Sequence, residues 1–198
     1  MVAFALGVMP GTDMVAAADV IAGETGDVRV IPRLPARGIM SDAVGATCAL
    51  LPDAPVAAGP RSWRLEARPQ LITRRLWDQA ERDLDLLEAE WGSSGFTVQV
   101  AALGPWSLAA QVELPNGHLA VTDPGALHDL TEIVTYGLTE HASRLRRRFH
   151  GEVNIQVNEP LLAALNRGEI AGTNDFDVLR PIPAKELGER LHYVFESL

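Results

Sequence analysis

The sequence predicts an α/β fold: a parallel (β/α) barrel of the TIM type, incomplete, with about the first half to two-thirds of the eight units of a full barrel. Three observations predict it. Short apolar runs that read as strands alternate with longer amphipathic stretches that read as helices. The strand-like runs are continuously apolar, the pattern of parallel strands covered by helices on both faces. Four such runs fit in 198 residues, whereas a complete barrel takes about 250. Residues 1–198 are read as one such domain.

Ala3 to Val8 reads as the first strand, followed by the turn Met9-Pro10-Gly11-Thr12-Asp13, whose Asp13 caps a helix carrying Met14, Val15, Ala17, Ala18 and Ile21. Val28 to Ile31 is the second strand and runs into the proline-punctuated loop Pro32 to Gly38. Ser41 or Asp42 starts the next helix, through Val44, Thr47, Cys48 and Leu51. Pro52 to Pro60, rich in Pro and Ala, reads as an irregular connector before Trp63-Arg64-Leu65. From Pro69 to Trp91, Ile72, Leu76, Leu84, Leu87 and Trp91 recur at helical spacing with acids between them, which predicts a long helix with one buried face. Thr97 to Ala101 is the third strand, and Leu108 to Val112 reads as helical. Asp123-Pro124 opens a second long helix, with Leu127, Leu130, Val134, Leu138, Leu145 and Phe149 on one side. Glu152 to Val157 is the fourth strand, and Leu161 to Leu165 begins a helix. Gly168 to Pro183 reads as loop, and Ala184 to Ser197 as a last amphipathic helix.

Composition narrows the function classes. A hydrophobic fraction of 47% with 22% charged residues is that of a globular domain. The net charge of -9 argues against nucleic-acid and membrane partners, because both need a basic surface. Arg144, Arg146, Arg147 and Arg148 lie at the end of a helix, where cations offset the helix dipole. Any anionic ligand must therefore meet a local cation. The single cysteine, Cys48, forms no intrachain disulfide and points to no oxidising compartment, so the expected location is the cytoplasm. Val2 to Met9 lacks a basic flank and is interrupted at Gly7, which suits a strand better than a signal peptide.

Three strand ends carry further information: Gly7-Val8-Met9-Pro10-Gly11-Thr12-Asp13, Gly104-Pro105-Trp106-Ser107-Leu108, and Gln156-Val157-Asn158-Glu159-Pro160. In their order and spacing they resemble the catalytic barrel of the cobalamin-independent methionine synthase family, which shares its fold with uroporphyrinogen decarboxylase. In that family a first strand ends in a Gly-Ser-Phe-Pro-like turn, a middle strand in Gly-Pro and a later one in Gln-x-Asp-Glu-Pro. The resemblance implies methyl transfer from methyl-tetrahydrofolate to a thiol such as homocysteine, in methionine biosynthesis, with zinc holding the thiol as thiolate. Departures from the pattern are specific. Val8 stands for the family's Ser, and Asn158 for the Asp that accepts hydrogen bonds from the substrate ammonium. The family's His-x-Cys zinc pair does not occur, and His118, His128, His141, His150 and His192 have no metal-ligand spacing. No cofactor is thus encoded in the residues themselves; zinc and the folate are implied by the resemblance alone.

The candidate substrate-binding residues are Asn158, Glu159, Asp13, Trp106 and Arg37, each with a plainer alternative. Asn158 and Glu159 either orient a substrate amine or hydroxyl, or cap the helix that follows. Asp13 either faces the same mouth or caps its own helix. Trp106 either stacks on a pterin ring or packs beneath a helix. Arg37, with Arg33, either binds a carboxylate or folate tail, or is solvated. Catalytic residues are not identified. The competing reading is a non-catalytic partial barrel that covers its open sheet edges with a second copy or a partner chain.

Overall fold

The structure is a computed structural model, and it describes residues 5–59, 61–93, 95–172 and 179–198. The first part of the chain forms α1 (Met14–Thr25), β1 (Val28–Val30), α2 (Ala43–Cys48), β2 (Val56–Ala58), β3 (Trp63–Leu65) and α3 (Leu71–Trp91). The rest forms β4 (Thr97–Leu103), α4 (Pro105–Ala109), β5 (Val112–Glu113), α5 (Pro124–Phe149), β6 (Val153–Asn158), α6 (Leu162–Arg167) and α7 (Ala184–Ser197). Single 3-10 turns stand at Pro35–Arg37, Ile39–Ser41 and Ala120–Thr122.

The expected incomplete barrel is not what forms. The described strands make two small sheets of three, one parallel in the order β1-β4-β6 and one mixed in the order β2-β3-β5, and no sheet closes on itself. The cause lies in the stretch read as an irregular connector. Val56–Ala58 within it is a strand that pairs antiparallel with Trp63–Leu65, and β5 then adds in parallel, Trp63 opposite Val112. These short strands build a second sheet instead of extending the first. The helix expected over Leu108 to Val112 is displaced as well. Pro105, with its fixed φ, starts α4 at once after Gly104, and Val112 is already in β5.

The parallel sheet follows the expected strands more closely. β4 is its centre: Val28 to Val30 pair with Thr97 to Gln99, and Val98 to Leu103 pair with Val153 to Asn158. Residues 3 and 4 of the expected first strand lie outside the described residues. The remainder makes one parallel bridge, in which Arg33 N donates to Gly7 O at 2.7 Å and Met9 N to Arg33 O at 3.0 Å. A fourth segment thus runs beside β1 in the same direction.

Helices cover this frame as their patterns dictate. Asp13 caps α1, accepting from Val15 N at 2.9 Å and Ala16 N at 3.3 Å. Leu76, Leu84, Leu87 and Trp91 are the buried face of α3, and the Trp91 indole donates to Ala18 O at 3.0 Å, which ties α3 to α1. Two apolar clusters result, one centred on Trp63, Trp106, Leu108 and Leu138, the other on Ile21, Leu87, Trp91 and Phe149; Leu50 and Ile155 pack against both. Arg144 and Arg148 pair with the acids of α3, Arg148 Nε reaching Glu88 at 2.7 Å and its Nη2 reaching Asp85. That pairing occupies part of the arginine run with a neighbouring helix. Among the described residues no helix is long and apolar enough to cross a membrane.

One polar group stands out in the layer between helices and sheet. His141 on α5 is 5% exposed and its Nε2 has no hydrogen-bond partner; the ring lines an apolar cavity of about 100 Å³. Burial, with the nearby Arg144 charge adding to it and Glu81 opposing, lowers its pKa to about 4. The unfolded chain therefore takes up this proton first. Stability is complete above the unfolded value near 6.5 and falls as pH drops from there toward 4, by roughly 3 kcal/mol over the window. Urea unfolding between pH 7 and 4.5 should show this loss, and His141→Leu should flatten that part of the profile. An unchanged slope in the variant would place the titration elsewhere.

Candidate functional site

The carboxyl ends of parallel strands are where an α/β sheet exposes backbone and side chains together, beyond the reach of the covering helices. In this protein the ends of four parallel segments open on one cleft of about 510 Å³. Gly7 and Val8 come from the first segment, Arg33 from the turn after β1, Leu103 from β4, and Asn158 and Glu159 from β6. The first and last of the three strand-end motifs singled out in the sequence meet here, although about 150 residues of chain separate them, and the Gly104–Leu108 motif begins directly after the lining residue Leu103.

Asn158 and Glu159 both line the cleft, but they do different things. The Glu159 carboxylate crosses to α4, where Oε1 accepts from Trp106 N at 3.0 Å and Oε2 from Ser107 N at 2.7 Å. Ser107 Oγ in turn accepts from Leu161 N at 3.1 Å, so β6 and α4 are latched in both directions. Burial raises the Glu159 pKa, and the hydrogen bonds from Ser107 and Trp106 hold that rise back. Capping is the role geometry gives Glu159, and the helix it caps is α4, far away in sequence. Gly104 makes the approach possible: a Cβ there would stand 2.3 Å from Glu159 Oε1 and 2.8 Å from Val157 Cγ1. The Gly-Pro and Glu-Pro motifs are thus two halves of one contact.

Asn158 ends a ladder of amides. Gln99 Nε2 donates to Gln156 Oε1 at 2.7 Å, and Gln156 Nε2 donates to Asn158 Oδ1 at 2.7 Å. Alternate residues of a strand share a face, and the β4–β6 register sets Gln99 diagonally across from Gln156. Sequence reading missed Gln99 and the link to Gln156; the available signal was one glutamine in each of two strands, Gln99 flanked by Val98 and Val100 and Gln156 by Ile155 and Val157. It also passed over Thr47, whose hydroxyl donates to Ala43 O at 2.8 Å and accepts from Leu103 N at 2.9 Å, fastening α2 to the end of β4.

The other candidates lie apart from the cleft or have other partners. Asp13 caps α1. Arg37 makes a two-pronged ion pair with Asp83, at 2.8 and 2.9 Å, and its Nε donates to Thr12 O at 2.8 Å. Trp106 is fully buried, its indole donating to Leu187 O at 3.1 Å with the Arg190 guanidinium 5.0 Å over the ring, so it anchors α7 instead of presenting a face to a ligand. Arg33 is the cation at the cleft. It is half-buried, and its Nη1 makes one long hydrogen bond, 3.4 Å to Ser41 O.

The donor chemistry does not fit zinc. Among the described residues the cleft is lined by no His or Cys, and no three His, Cys, Asp or Glu side chains stand together as a metal would require. Cys48 is buried, and burial, with Asp42 nearby, pushes its pKa up to about 12, away from the thiolate that a metal ligand or nucleophile must be.

If Glu159 is an α4 cap, Glu159→Ala should lower stability by about 1–2 kcal/mol through the orphaned N–H groups of Trp106 and Ser107. Gly104→Ala should cost a similar amount by displacing the same carboxylate, and the double variant should cost less than the sum, because both changes break one contact. Chemical denaturation of the four proteins measures this. Full additivity would mean that the two motifs are independent.

Comparison of the chain with protein-family models, curated proteins and solved structures finds no match.

Proposed function

We propose that this chain binds the amino-acid substrate of a methionine synthase-like reaction, the transfer of a methyl group from methyl-tetrahydrofolate to a thiol such as homocysteine, in the cytoplasm. One observation carries the reading: two of the motifs that resemble the family line a single cleft at the carboxyl ends of parallel strands, and Glu159 of the later one ties the middle motif to it through Trp106 N and Ser107 N. A volume of about 510 Å³ suits a small metabolite. The chain's own contribution is positional. β4 and β6 hold the amide ladder rigid, Glu159 keeps α4 against the cleft, and Arg33 supplies positive charge in a protein of net charge -9. Zinc would supply thiol activation in the family; the described residues do not provide its ligands, and no step here depends on it.

A second reading, a non-catalytic domain that joins a second copy or a partner chain, is favoured by one feature. Among the described residues β6 has a ladder partner on one side only, β4, and its other edge offers backbone donors and acceptors. The two readings separate in solution. Calorimetry should detect L-methionine, L-homocysteine and methyl-tetrahydrofolate binding to the protein at roughly millimolar affinity or tighter. The absence of heat from all three, with a native mass of twice the chain, would replace the substrate-binding reading with the assembly reading.

A further inference from the structure

The amide ladder has a direction, and the direction decides what the cleft can recognise. It is set at its buried end. Gln99 is 6% exposed, and its Nε2 lies 3.2 Å from Ala5 O as well as 2.7 Å from Gln156 Oε1. A backbone carbonyl only accepts, so the Gln99 side chain must turn its NH₂ toward Ala5. The amide oxygen of Gln156 must then face Gln99, and its nitrogen must face Asn158. The Asn158 carbonyl, 2.7 Å from Gln156 Nε2, is thereby engaged. The Asn158 NH₂, with both donors unpartnered among the described residues, is what the ladder turns away from Gln156.

Positive charge in the lining comes from Arg33. Arg33 offers only donors, and its single long bond to Ser41 O leaves most of its five N–H groups for another acceptor. The Glu159 carboxylate is turned into α4, and the Thr47 hydroxyl both donates and accepts within the protein. A carboxylate entering the cleft finds an arginine and an amide NH₂ among the lining residues from which to accept. We propose that the cleft recognises its ligand through a carboxylate, held between Arg33 and the side-chain amide of Asn158. This deepens the substrate-binding proposal by naming the chemical group read in the same cleft. It also reverses the expectation attached to position 158, where the family resemblance implies a partner for the substrate ammonium.

Three sulfur compounds and one plain diacid test it: L-methionine, its deaminated analogue methylsulfanylbutanoate, its decarboxylated analogue methylsulfanylpropylamine, and glutarate. Titrations are followed by calorimetry and by the side-chain amide resonances of Asn158. Methylsulfanylbutanoate should bind and move those resonances, and methylsulfanylpropylamine should do neither. Asn158→Asp keeps an oxygen for Gln156 Nε2 to donate to and replaces the free NH₂ by a charged oxygen, so it should weaken methylsulfanylbutanoate by roughly tenfold or more, as should Arg33→Gln. Binding of the amine in place of the acid, or tighter L-methionine binding by Asn158→Asp, overturns the proposal and leaves the amino-acid reading in place. Glutarate binding without any sulfur compound supports the carboxylate site and counts against the methionine-type ligand. If no carboxylate moves the Asn158 amide resonances up to its solubility limit, the proposal fails.

Discussion

The pairing of β4 with β6 is the constraint on which the cleft depends. Six consecutive residue pairs, from Val98 opposite Val153 to Leu103 opposite Asn158, hold the two strands in parallel. A shift of one residue would turn Gln156 and Asn158 to the opposite face and move Glu159 off the start of α4, because side chains alternate with a period of two. The amide ladder and the latch between Glu159 and α4 are consequences of one register. The hydrophobic clusters on either side hold that register. Ile155 of β6 packs against both, and Leu50 joins them from the end of α2.

Several polar side chains in this protein act on distant backbone. Glu159 reaches Trp106 and Ser107, Thr47 reaches Leu103, and the Trp106 indole reaches Leu187. Asp42 caps α2 through Gly45 N and also accepts from the Trp63 indole, so one carboxylate locks a helix start to the central strand of the second sheet. Gly45 is required there, since a Cβ would lie 2.7 Å from Ile39 O and 2.9 Å from the Trp63 ring. Each of these contacts satisfies a buried donor or acceptor that would otherwise be costly. They leave few unpartnered polar groups for a ligand, among them the Arg33 guanidinium and the Asn158 NH₂ at the cleft.

That economy bears on the methionine synthase-like function proposed for the cleft. The motifs most suggestive of the family, Gly-Pro and Glu-Pro, explain each other through packing at Gly104 and Glu159. Such residues serve any ligand that needs the strand ends held rigid. Ligand choice falls instead to Arg33 and to the orientation of Asn158, which depends on a glutamine some sixty residues away in sequence. A carboxylate-reading cleft is compatible with an amino acid or a folate tail, so the chemistry of the site narrows the ligand class without depending on the family comparison.

Much of the fold was legible in residue pattern, and the reasons are local. The 3.6-residue recurrence of Leu76, Leu84, Leu87 and Trp91 marked α3, Asp13 and Asp123 marked the starts of α1 and α5, and the apolar runs marked β1, β4 and β6. The second sheet was not legible. Its strands are two or three residues long, too short for any period, and β2 is embedded in a Pro- and Ala-rich stretch that has no strand propensity of its own. Among the candidate residues, sequence alone located Asn158 and Glu159 at a strand end, because that placement follows from the strand itself. Only the tertiary structure decided that Glu159 turns to α4, that Arg37 pairs with Asp83 and that Trp106 is interior. Each depends on a partner 46 to 81 residues away. The direction of the amide ladder was decided there too, since a glutamine side chain has no orientation until a carbonyl that can only accept is brought beside it.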